Sequence, residues 1–328
     1  MKAVVRETYG PPDVMHLADV PLPAVGDGDV LVRVHAAAAN AGDWHLLRGT
    51  PWPFRLVAGL RRPKVRVLGT DIAGRVEAVG RRVTRFRPGD AVFGELSRCG
   101  FGGYAEFAAA PETALAAKPA GLSFEEASTL PTAGCIALQG LRRGRMDRAK
   151  RVLIHGASGG VGTFAVQIAR SAGAEVTAVC STSHVNMVRA LGASQVIDYT
   201  KEDFATLGRQ YDLILATNGD RSIWDYRRAL APGGRYVMTG GSNRQLTEAV
   251  LLGPALSMRG QRLGNVLVAP DSADLLALKA LCDAGSVKPV IDRVFPLRDA
   301  ASAVRYIEEG HARGKVVVTI ASSRDVTL

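Results

Sequence analysis

The chain has 328 residues and a formal charge of +10, with 22% charged and 47% hydrophobic residues. This composition is ordinary for a packed globular protein and excludes a collagen-like, coiled-coil or disordered chain, while the length favours two domains. No apolar run of about 18 residues predicts a membrane-spanning helix, and the charged N-terminus lacks the apolar block of a secretory signal.

The excess of basic residues could attract nucleic acid, an anionic membrane or a phosphorylated ligand. The densest basic runs, at 61–66 and 142–151, are neither interleaved with aromatic residues nor part of a nucleic-acid motif. We therefore expect a solvated basic surface that favours an anionic cofactor, with neither nucleic acid nor a membrane as a partner. No CxxC spacing occurs, which argues against a disulfide framework or zinc ribbon and fits a cytoplasmic location; the cysteines are Cys99, Cys135, Cys180 and Cys282.

Short strands are predicted over about the first 120 residues. Segments rich in Val and Ala are separated there by turns that contain Pro and Gly; they lie at 3–6, 29–37, 72–79 and 91–94. This pattern favours an irregular all-β barrel or sandwich with few helices.

Strands and helices alternate after Ser123, where a Ser followed by Glu125 and Glu126 predicts a helix start. The strands are predicted at 151–155, 175–179, 196–198, 213–216 and 235–239, and the helices at 162–172, 185–191 and 222–230. Such alternation indicates βαβ units and a parallel sheet. About 60 final residues return to mixed character, with helices at 273–284 and 300–309 and strands at 290–295 and 315–320. A β-rich part is thus interrupted by an α/β part.

The sharpest motif is a glycine-rich segment that follows the strand at 151–155 and opens a helix. Its spacing is that of GxGxxG, with Ala157 in place of the first Gly. Glycines let the backbone approach a pyrophosphate, and the helix N-terminus offers free N–H groups and a positive dipole end. An ordinary glycine-rich turn is the alternative. The motif predicts a dinucleotide site with contacts from Ser158, Gly159, Gly160, Val161 and Gly162.

The second strand of this part ends without the acidic residue that would bind an adenosine ribose and favour NADH. Ser181 and Thr182 follow it instead, and their small hydroxyls can accommodate a 2′-phosphate and donate to it. The sequence therefore favours NADPH over NADH, although these residues could merely cap the next helix. The other candidate cofactor contacts are His184, Arg189, Tyr199, Asn218, Gly240 and Lys315.

Landmarks along the whole chain resemble the medium-chain dehydrogenase/reductase superfamily, in its zinc-independent, quinone-oxidoreductase-like branch. They are MKAVV at the start, GTDIAGRV at 69–76, FRPGDAVF at 86–93, GYAEF at 103–107, ALGA at 190–193 and GHARGKVV at 310–317. The resemblance implies an α/β protein with a GroES-like β-barrel catalytic domain at 1–122 and 267–328. It also implies an inserted Rossmann domain, a doubly wound parallel sheet at 123–266, with the active site in the cleft between the domains and a homodimer.

Zinc is not expected, because the ligands of the metal-dependent relatives are replaced. Those relatives bind zinc through a Cys, a His-Glu pair and another Cys or His, and the matching positions here are Asn40, Thr70, Asp71 and Thr132. An amide, hydroxyls and one carboxylate do not provide the three or four ligands that Zn²⁺ needs. Without a metal, a conjugated acceptor is favoured, because hydride addition to it places charge on an oxygen that hydrogen-bond donors can stabilise.

Candidate catalytic residues lie at 40–45. Asn40 resembles the family's Asn beside the nicotinamide, and His45 lies where zinc-dependent relatives place a proton-relay His. His45 could equally be a cleft-lining residue bonded to Asp43, and Asp43 could orient His45 or cap the following helix. Aromatic residues could line an apolar substrate pocket, although they are more often core residues; the candidates are Trp44, Trp52, Phe93 and Phe101.

These patterns predict an NADPH-dependent reductase whose small electrophilic substrate is an α,β-unsaturated carbonyl or a quinone. Two alternatives stay open: an NAD(P)-dependent carbonyl reductase or alcohol dehydrogenase that uses His45, and a non-catalytic NADPH-binding module, since a fold does not determine a function.

Overall fold

The computed structural model describes residues 1–257, 260–265, 271–310 and 312–320, apart from the side chains of Phe54 and Val57. Contacts divide the chain into a β-unit, residues 1–132, 270–283 and 291–328, and an α/β-unit, residues 133–269 and 284–290. The division follows Thr132 rather than the predicted 122. The predicted boundary at 266 and 267 lies outside the described residues, and the predicted domain limits stay a prediction.

Strands dominate the first part of the β-unit. Its elements are β1 (Lys2–Val5), β2 (His16–Asp19), β3 (Asp29–Ala39), α1 (Ala41–Arg48), α2 (Arg55–Ala58), β4 (Asp71–Val79), β5 (Ala91–Glu95), β6 (Phe107–Pro111), β7 (Leu115–Ala117) and α3 (Phe124–Ser128). Helix α3 begins as its sequence predicts, because Ser123 Oγ accepts from the Glu126 N–H at 3.1 Å and the Glu126 carboxylate accepts from the Ser123 N–H at 2.9 Å.

Strands and helices alternate in the next part of the chain. The elements are α4 (Pro131–Arg143), β8 (Arg151–His155), α5 (Gly160–Ser171), β9 (Glu175–Cys180), α6 (Val185–Ala190), β10 (Gln195–Asp198), β11 (Tyr211–Ala216), α7 (Ile223–Ala229), β12 (Leu230–Met238), α8 (Asn243–Leu251), α9 (Gly253–Leu256) and β13 (Arg262–Asn265). Strand β12 includes Pro232, Gly233 and Gly234, which lie between the helix predicted at 222–230 and the strand predicted at 235–239. Helices α8 and α9 and strand β13 were not predicted.

The chain then returns to the β-unit through α10 (Ser272–Asp283), β14 (Ile291–Pro296), α11 (Ala300–Glu308) and β15 (Lys315–Thr319). Within the described ranges, its main sheet has seven strands, in the order β14-β15-β3-β4-β5-β7 with β6 paired to β3. Val30, Val32 and Val34 of β3 alternate into the core and are almost fully buried, as the period of a strand requires. The two ends of the chain therefore build one sheet.

The α/β-unit contains a parallel sheet in the order β10-β9-β8-β11-β12-β13, as far as the described residues show. Val152, Leu153 and Ile154 of β8 are all fully buried, as is usual for strands that helices cover on both faces. The sheet order reverses between β8 and β11, which is the topological switch point where such sheets bind ligands.

A returning segment completes the α/β-unit. Gln167 of α5 is almost fully buried, and its side chain forms two hydrogen bonds with the backbone of Lys288. Gln167 Nε2 donates to the Lys288 carbonyl at 2.9 Å, and the Lys288 N–H donates to Gln167 Oε1 at 2.9 Å. Lys288, in the segment 284–290, is thus bonded to α5. None of the helices in the described ranges has the length and apolarity that a bilayer crossing needs.

Candidate active site

The loop between β8 and α5 has the geometry of a phosphate-binding turn. Gly156 has a φ of +83°, which favours glycine. A Cβ at Gly162 would lie 2.1 Å from the Gly156 carbonyl oxygen, so glycine there lets α5 approach the loop, whereas a Cβ at Gly159 would meet its nearest neighbour at 3.6 Å. No side chain caps α5, so its first N–H groups remain available for an anion. The predicted contacts Ser158, Gly160 and Val161 are half-buried in this turn.

Two more predicted cofactor positions lie at the same edge of the sheet. Asn218 is exposed just after β11, and Gly240 follows β12. A Cβ at Gly240 would lie 2.4 Å from the Thr217 carbonyl oxygen, so glycine allows the two strand ends to approach each other. These residues fit a dinucleotide at the carboxyl ends of β8, β11 and β12.

An acidic residue lies beside the end of β9, although none follows β9 in the sequence. The register of β9 and β10 pairs Asp198 with Cys180. Thr182 Oγ1 donates to Asp198 Oδ2 at 2.5 Å and Thr200 Oγ1 donates to Asp198 Oδ1 at 2.7 Å. These bonds, that of Thr182 foremost, lower the pKa of Asp198 to about 2. The sequence placed Thr182 as a donor to a 2′-phosphate; in the structure its hydroxyl proton is used by Asp198.

The other predicted residues of this pocket lie close by. Ser181 directly follows the last residue of β9. Its Oγ and His184 Nδ1 are 3.1 Å apart and share a hydrogen bond. Tyr199 follows β10 and is 60% exposed, so its ring is free to contact a flat ligand.

A buried polar network lies beneath this edge of the sheet and was not predicted. His155 Nδ1 and the Tyr226 hydroxyl are 2.7 Å apart, and Gln245 Nε2 donates to the Tyr226 and Tyr236 hydroxyls at 3.2 and 2.8 Å. Burial lowers the pKa of His155 to about 4, so its imidazole is neutral at pH 7. The network joins the end of β8 to α7, β12 and α8, and its members are too far apart in the sequence for a motif to reveal them.

The β-unit contains a second polar cluster, in which a buried ammonium holds an amide. Lys315 Nζ donates to Asn40 Oδ1 and lies 3.5 Å from the Ala39 carbonyl oxygen and 3.9 Å from Asp71 Oδ2. Asn40 Nδ2 donates to Asp71 Oδ2 at 3.0 Å and to Thr70 Oγ1 at 3.1 Å. The Asn40 amide, predicted to lie beside the nicotinamide, is therefore held at both ends, and Lys315, predicted as a cofactor contact, is what holds its oxygen.

The two charged residues of this cluster are buried. Lys315 is 3% exposed and Asp71 is 0% exposed. Burial lowers the pKa of Lys315 and raises that of Asp71, and each charge partly offsets the shift of the other. Asp71 also accepts from the Thr132 N–H at 3.1 Å and from the Thr132 hydroxyl. The ion pair thus depends on its hydrogen bonds for compensation.

Asp43 caps α1 and makes no contact that would orient His45. Its carboxylate accepts from the Asn40 N–H at 2.8 Å, the Gly69 N–H at 3.2 Å and the Tyr104 hydroxyl at 3.0 Å. Burial raises the pKa of Asp43 to about 6. Of the two predicted roles for Asp43, the geometry supports the helix cap, and the hydrogen bonds from Gly69 and Tyr104 add a link to the neighbouring chain.

His45 is half-buried on α1 and stacks on Trp44, with ring centroids 3.6 Å apart. Its Nδ1 is buried without a hydrogen-bond partner, and burial lowers its pKa, which favours the neutral imidazole. His45 therefore has one ring nitrogen that is buried and has no hydrogen-bond partner.

The aromatic residues predicted to line a substrate pocket have different environments. Trp52 is 60% exposed, whereas Phe93 is 0% exposed on β5, so Phe93 is a core residue and the predicted substrate contact is wrong for it. Phe101 is half-buried, has a φ of +65° and packs against the core of the β-unit. Trp44, Trp52 and Phe101 stay predicted substrate contacts.

The parallel sheet, its glycine loop and the separate β-unit define the chain as a two-unit dinucleotide-binding protein. Comparison with known proteins identifies the family within this class. The family description "Alcohol dehydrogenase GroES-like domain" matches residues 26–120, and "Zinc-binding dehydrogenase" matches residues 191–318.

Three relatives cover nearly the whole chain. A chloroplastic quinone-oxidoreductase QR1 of Triphysaria versicolor is 35% identical over 97% of this chain and 98% of its own length. An NADPH-dependent alkenal/one oxidoreductase of Arabidopsis thaliana is 33% identical over 97% of this chain and 79% of its own length. The solved quinone oxidoreductase from Coxiella burnetii is 31% identical, with a TM-score of 0.87 over 98% of this chain and 99% of that chain. The chain belongs to the medium-chain dehydrogenase/reductase superfamily, in its quinone-oxidoreductase-like branch, and is an oxidoreductase.

The residues of the polar cluster do not fit the zinc ion that one family description names. Zn²⁺ takes three or four S, N or carboxylate ligands at one point, and the described part of the chain has no group of three or more His, Cys, Asp and Glu that could hold a metal. Asn40, Asp71 and Thr132 supply an amide, a carboxylate and a hydroxyl, and the Lys315 ammonium lies 3.9 Å from that carboxylate. A cation of the protein thus lies beside the carboxylate that a metal would need.

Proposed function

We propose that this protein is an NADPH-dependent reductase of α,β-unsaturated carbonyls or quinones that works without a metal. The observation that carries the proposal is the Lys315–Asn40–Asp71 cluster, in which a fixed ammonium takes the place that a metal would need. A substrate that cannot be polarised by a metal reacts more readily when conjugation spreads the developing charge. The names of the quinone and alkenal/one oxidoreductases among the relatives support this substrate class.

The residues of the α/β-unit would hold the cofactor, which when bound supplies a hydride. The turn at Gly156, Gly159 and Gly162 would hold the pyrophosphate against the N-terminus of α5. In the β-unit, Lys315 contributes a positive charge that is held in place by the Asn40 amide oxygen. This charge favours an acceptor on which negative charge develops.

NADPH is favoured over NADH because Asp198 is occupied. Its carboxylate accepts from Thr182 and Thr200 and lies 3.4 Å from Lys201 Nζ, so it is not a free acceptor for a ribose hydroxyl. Ser181 and His184 remain as candidates to bind a 2′-phosphate. The cytoplasmic location and the homodimer stay predictions.

A carbonyl reductase or alcohol dehydrogenase stays a second candidate because of one observation, the unpartnered Nδ1 of His45. A His relay could deliver the proton that an alcohol product needs. A relay His is usually oriented by a second group. Asp43 is the carboxylate nearest to His45 in the sequence, but it accepts its hydrogen bonds from other groups.

Turnover with a substrate panel tests the proposal. We expect quinones, 2-alkenals and cyclic enones to oxidise NADPH, with kcat/KM for NADH lower than for NADPH, and saturated ketones and alcohols to be inert. A chelator is expected to leave the rate unchanged. Faster turnover of saturated alcohols than of enones and quinones would favour the second candidate, and a His45→Ala variant with unchanged kcat/KM would remove His45 from the mechanism.

Tight binding of NADPH without oxidation by any electrophile would favour the non-catalytic module.

A Trp52→Ala variant tests whether Trp52 contacts the substrate, because its exposed ring can be removed at little cost to the fold. We expect a higher KM for bulky enones with kcat nearly unchanged.

A further inference from the structure

Glu95 continues the polar cluster onto a further strand. The antiparallel register of β4 and β5 pairs Asp71 directly with Glu95, and cross-strand partners of this kind project from the same face of a sheet, with Cβ atoms about 5 Å apart. Lys315 begins β15 and Asn40 follows β3, and β15, β3, β4 and β5 are adjacent in that order. Lys315, Asn40, Asp71 and Glu95 therefore form a polar row across four neighbouring strands.

Glu95 is poorly compensated for a buried carboxylate. It is 7% exposed, and it accepts from the Ser97 N–H at 3.0 Å and the Ser97 hydroxyl at 2.9 Å. Both donors are neutral. Two charged side chains act on Glu95: the Asp71 carboxylate raises its pKa and the Arg98 guanidinium lowers it. The elements packed against β5 also carry Arg75 and Glu77 on β4 and Glu125 and Glu126 on α3, with no charged residue on β7.

The charge of the row depends on Glu95. Lys315 and Asp71 together are neutral, and the buried carboxylate of Asp43 interacts with both of them. An ionised Glu95 therefore adds a further negative charge to a group that has one buried cation, which a low-dielectric interior disfavours. Burial first, and then the charge of Asp71, raise the pKa of Glu95 to about 7. The row therefore gains or loses a proton near neutral pH.

We propose that Glu95 sets the charge of the Lys315–Asn40–Asp71 cluster and must be protonated for efficient hydride transfer to the acceptor. This inference rests on the proposed function, in which the acceptor gains negative charge as the hydride adds. An additional buried carboxylate raises the energy of that charge through space. Glu95 acts through its neighbours in the row, so it is a positioning residue.

The pH profile of kcat/KM for an enone with saturating NADPH tests this role. In the unsubstituted enzyme we expect kcat/KM to fall above about pH 7, by about tenfold per pH unit. Glu95→Gln fixes a neutral side chain of the same size, so its profile is expected to stay flat across this range. Glu95→Asp restores a titrating group and is expected to restore the fall. A Glu95→Gln enzyme that is folded and keeps the original fall would overturn the proposal.

A matched control and a measurement without turnover separate this proposal from the proposed function. Glu309→Gln removes an exposed carboxylate after α11 and is expected to keep the original profile. If no enone or quinone is reduced at all, the proposed function fails, and the infrared carboxylic-acid band still reports on Glu95. A band that persists to about pH 7 and is missing in Glu95→Gln supports a protonated Glu95, and a carboxylate already ionised at about pH 5 contradicts it.

Discussion

Lys315 and Asp71 form a buried ion pair in which the two opposite charges compensate each other. Lys315→Met is expected to lower the free energy of unfolding by about 3–5 kcal/mol, because it leaves the Asp71 carboxylate buried without a counter-charge. The double variant Lys315→Met/Asp71→Asn should lose less than the sum of the two single variants. Urea unfolding measures all three.

The surface pair of Lys2 and Asp19, with side chains 51% and 74% exposed, is the control for this prediction. Lys2→Met is expected to cost less than about 1 kcal/mol. A Lys315→Met variant that costs no more than Lys2→Met would show that the buried pair contributes nothing to stability.

Glu95 also predicts a pH-dependent stability. Its pKa rises from the ordinary 4.5 to about 7 in the folded chain, so the native state holds a proton that the unfolded chain releases. The stability from this proton is fully present below about pH 4.5 and is lost as the pH rises through about 7, with a limit of about 3 kcal/mol. Glu95→Gln should therefore be more stable than the unsubstituted protein at about pH 8 and nearly equal at about pH 4. Urea unfolding at both pH values checks this, and a difference that does not change with pH would contradict it.

Residue roles were predictable from the sequence where the partner is close along the chain. A capping role for Asp43 could be predicted because it lies at the start of α1, whereas its bond from the Asn40 N–H was not predicted. Asp198 was missed because it reaches Thr182 from the neighbouring strand, and Glu95 was missed because only the register of β4 and β5 brings it beside Asp71. Sheet register is set by the whole fold, and a single sequence does not display it.

Two glycines of the β8–α5 turn are required for different reasons. Gly162→Ala would place a Cβ 2.1 Å from the Gly156 carbonyl oxygen, so α5 must move and we expect a loss of stability of about 2 kcal/mol or more. Gly159→Ala meets its nearest neighbour only at 3.6 Å and should cost less than about 1 kcal/mol. Its methyl group would instead obstruct the pyrophosphate.

Thermal unfolding and NADPH titration of both variants separate the effect on stability from the effect on NADPH binding. We expect Gly159→Ala to keep its Tm and to bind NADPH at least about tenfold more weakly, which is about 1.4 kcal/mol. A Gly159→Ala variant with unaltered NADPH affinity would argue against phosphate binding at this turn.

Elements with strong local signals were predicted within about two residues. The helices at 185–191 and 300–309 correspond to α6 and α11, and the strand at 315–320 corresponds to β15. Strand β12 includes Pro232–Gly234 as an irregularity: β11 pairs with Leu230 and again from Arg235 onward, and β13 pairs only from Arg235. The local turn signal therefore corresponds to the part of β12 that is not paired with its neighbours. Helices α8 and α9 lack a comparable start signal apart from Ser242, whose hydroxyl caps α8.

The net charge of the whole molecule is expected to affect how strongly it binds the proposed cofactor. The formal charge of +10 attracts anions over a distance that salt shortens to about 10 Å at about 0.1 M. NADPH carries one phosphate more than NADH, so we expect the KM for NADPH to rise more steeply with salt than the KM for NADH. Initial rates at increasing NaCl concentrations measure both, and parallel slopes would contradict a long-range contribution.

The order of the two units along the chain was predictable because composition changes with architecture. The glycine turn, the alternation of strands and helices and the return to strands at the end identified an inserted α/β part. The limits of that part were not predictable, because residues 284–290 join the α/β-unit after α10 has already returned to the β-unit.

This late return has a consequence for anyone who exchanges the dinucleotide-binding part between related enzymes. A transplant of residues 133–269 alone would remove the two backbone groups of Lys288 that bond to Gln167. Gln167 would keep its bond to the Thr163 carbonyl, but its side-chain oxygen would depend on a segment of the host for a donor. Chimeras with a crossover after Val290, which carry the native α10 and its following turn, should express and fold where the shorter graft aggregates.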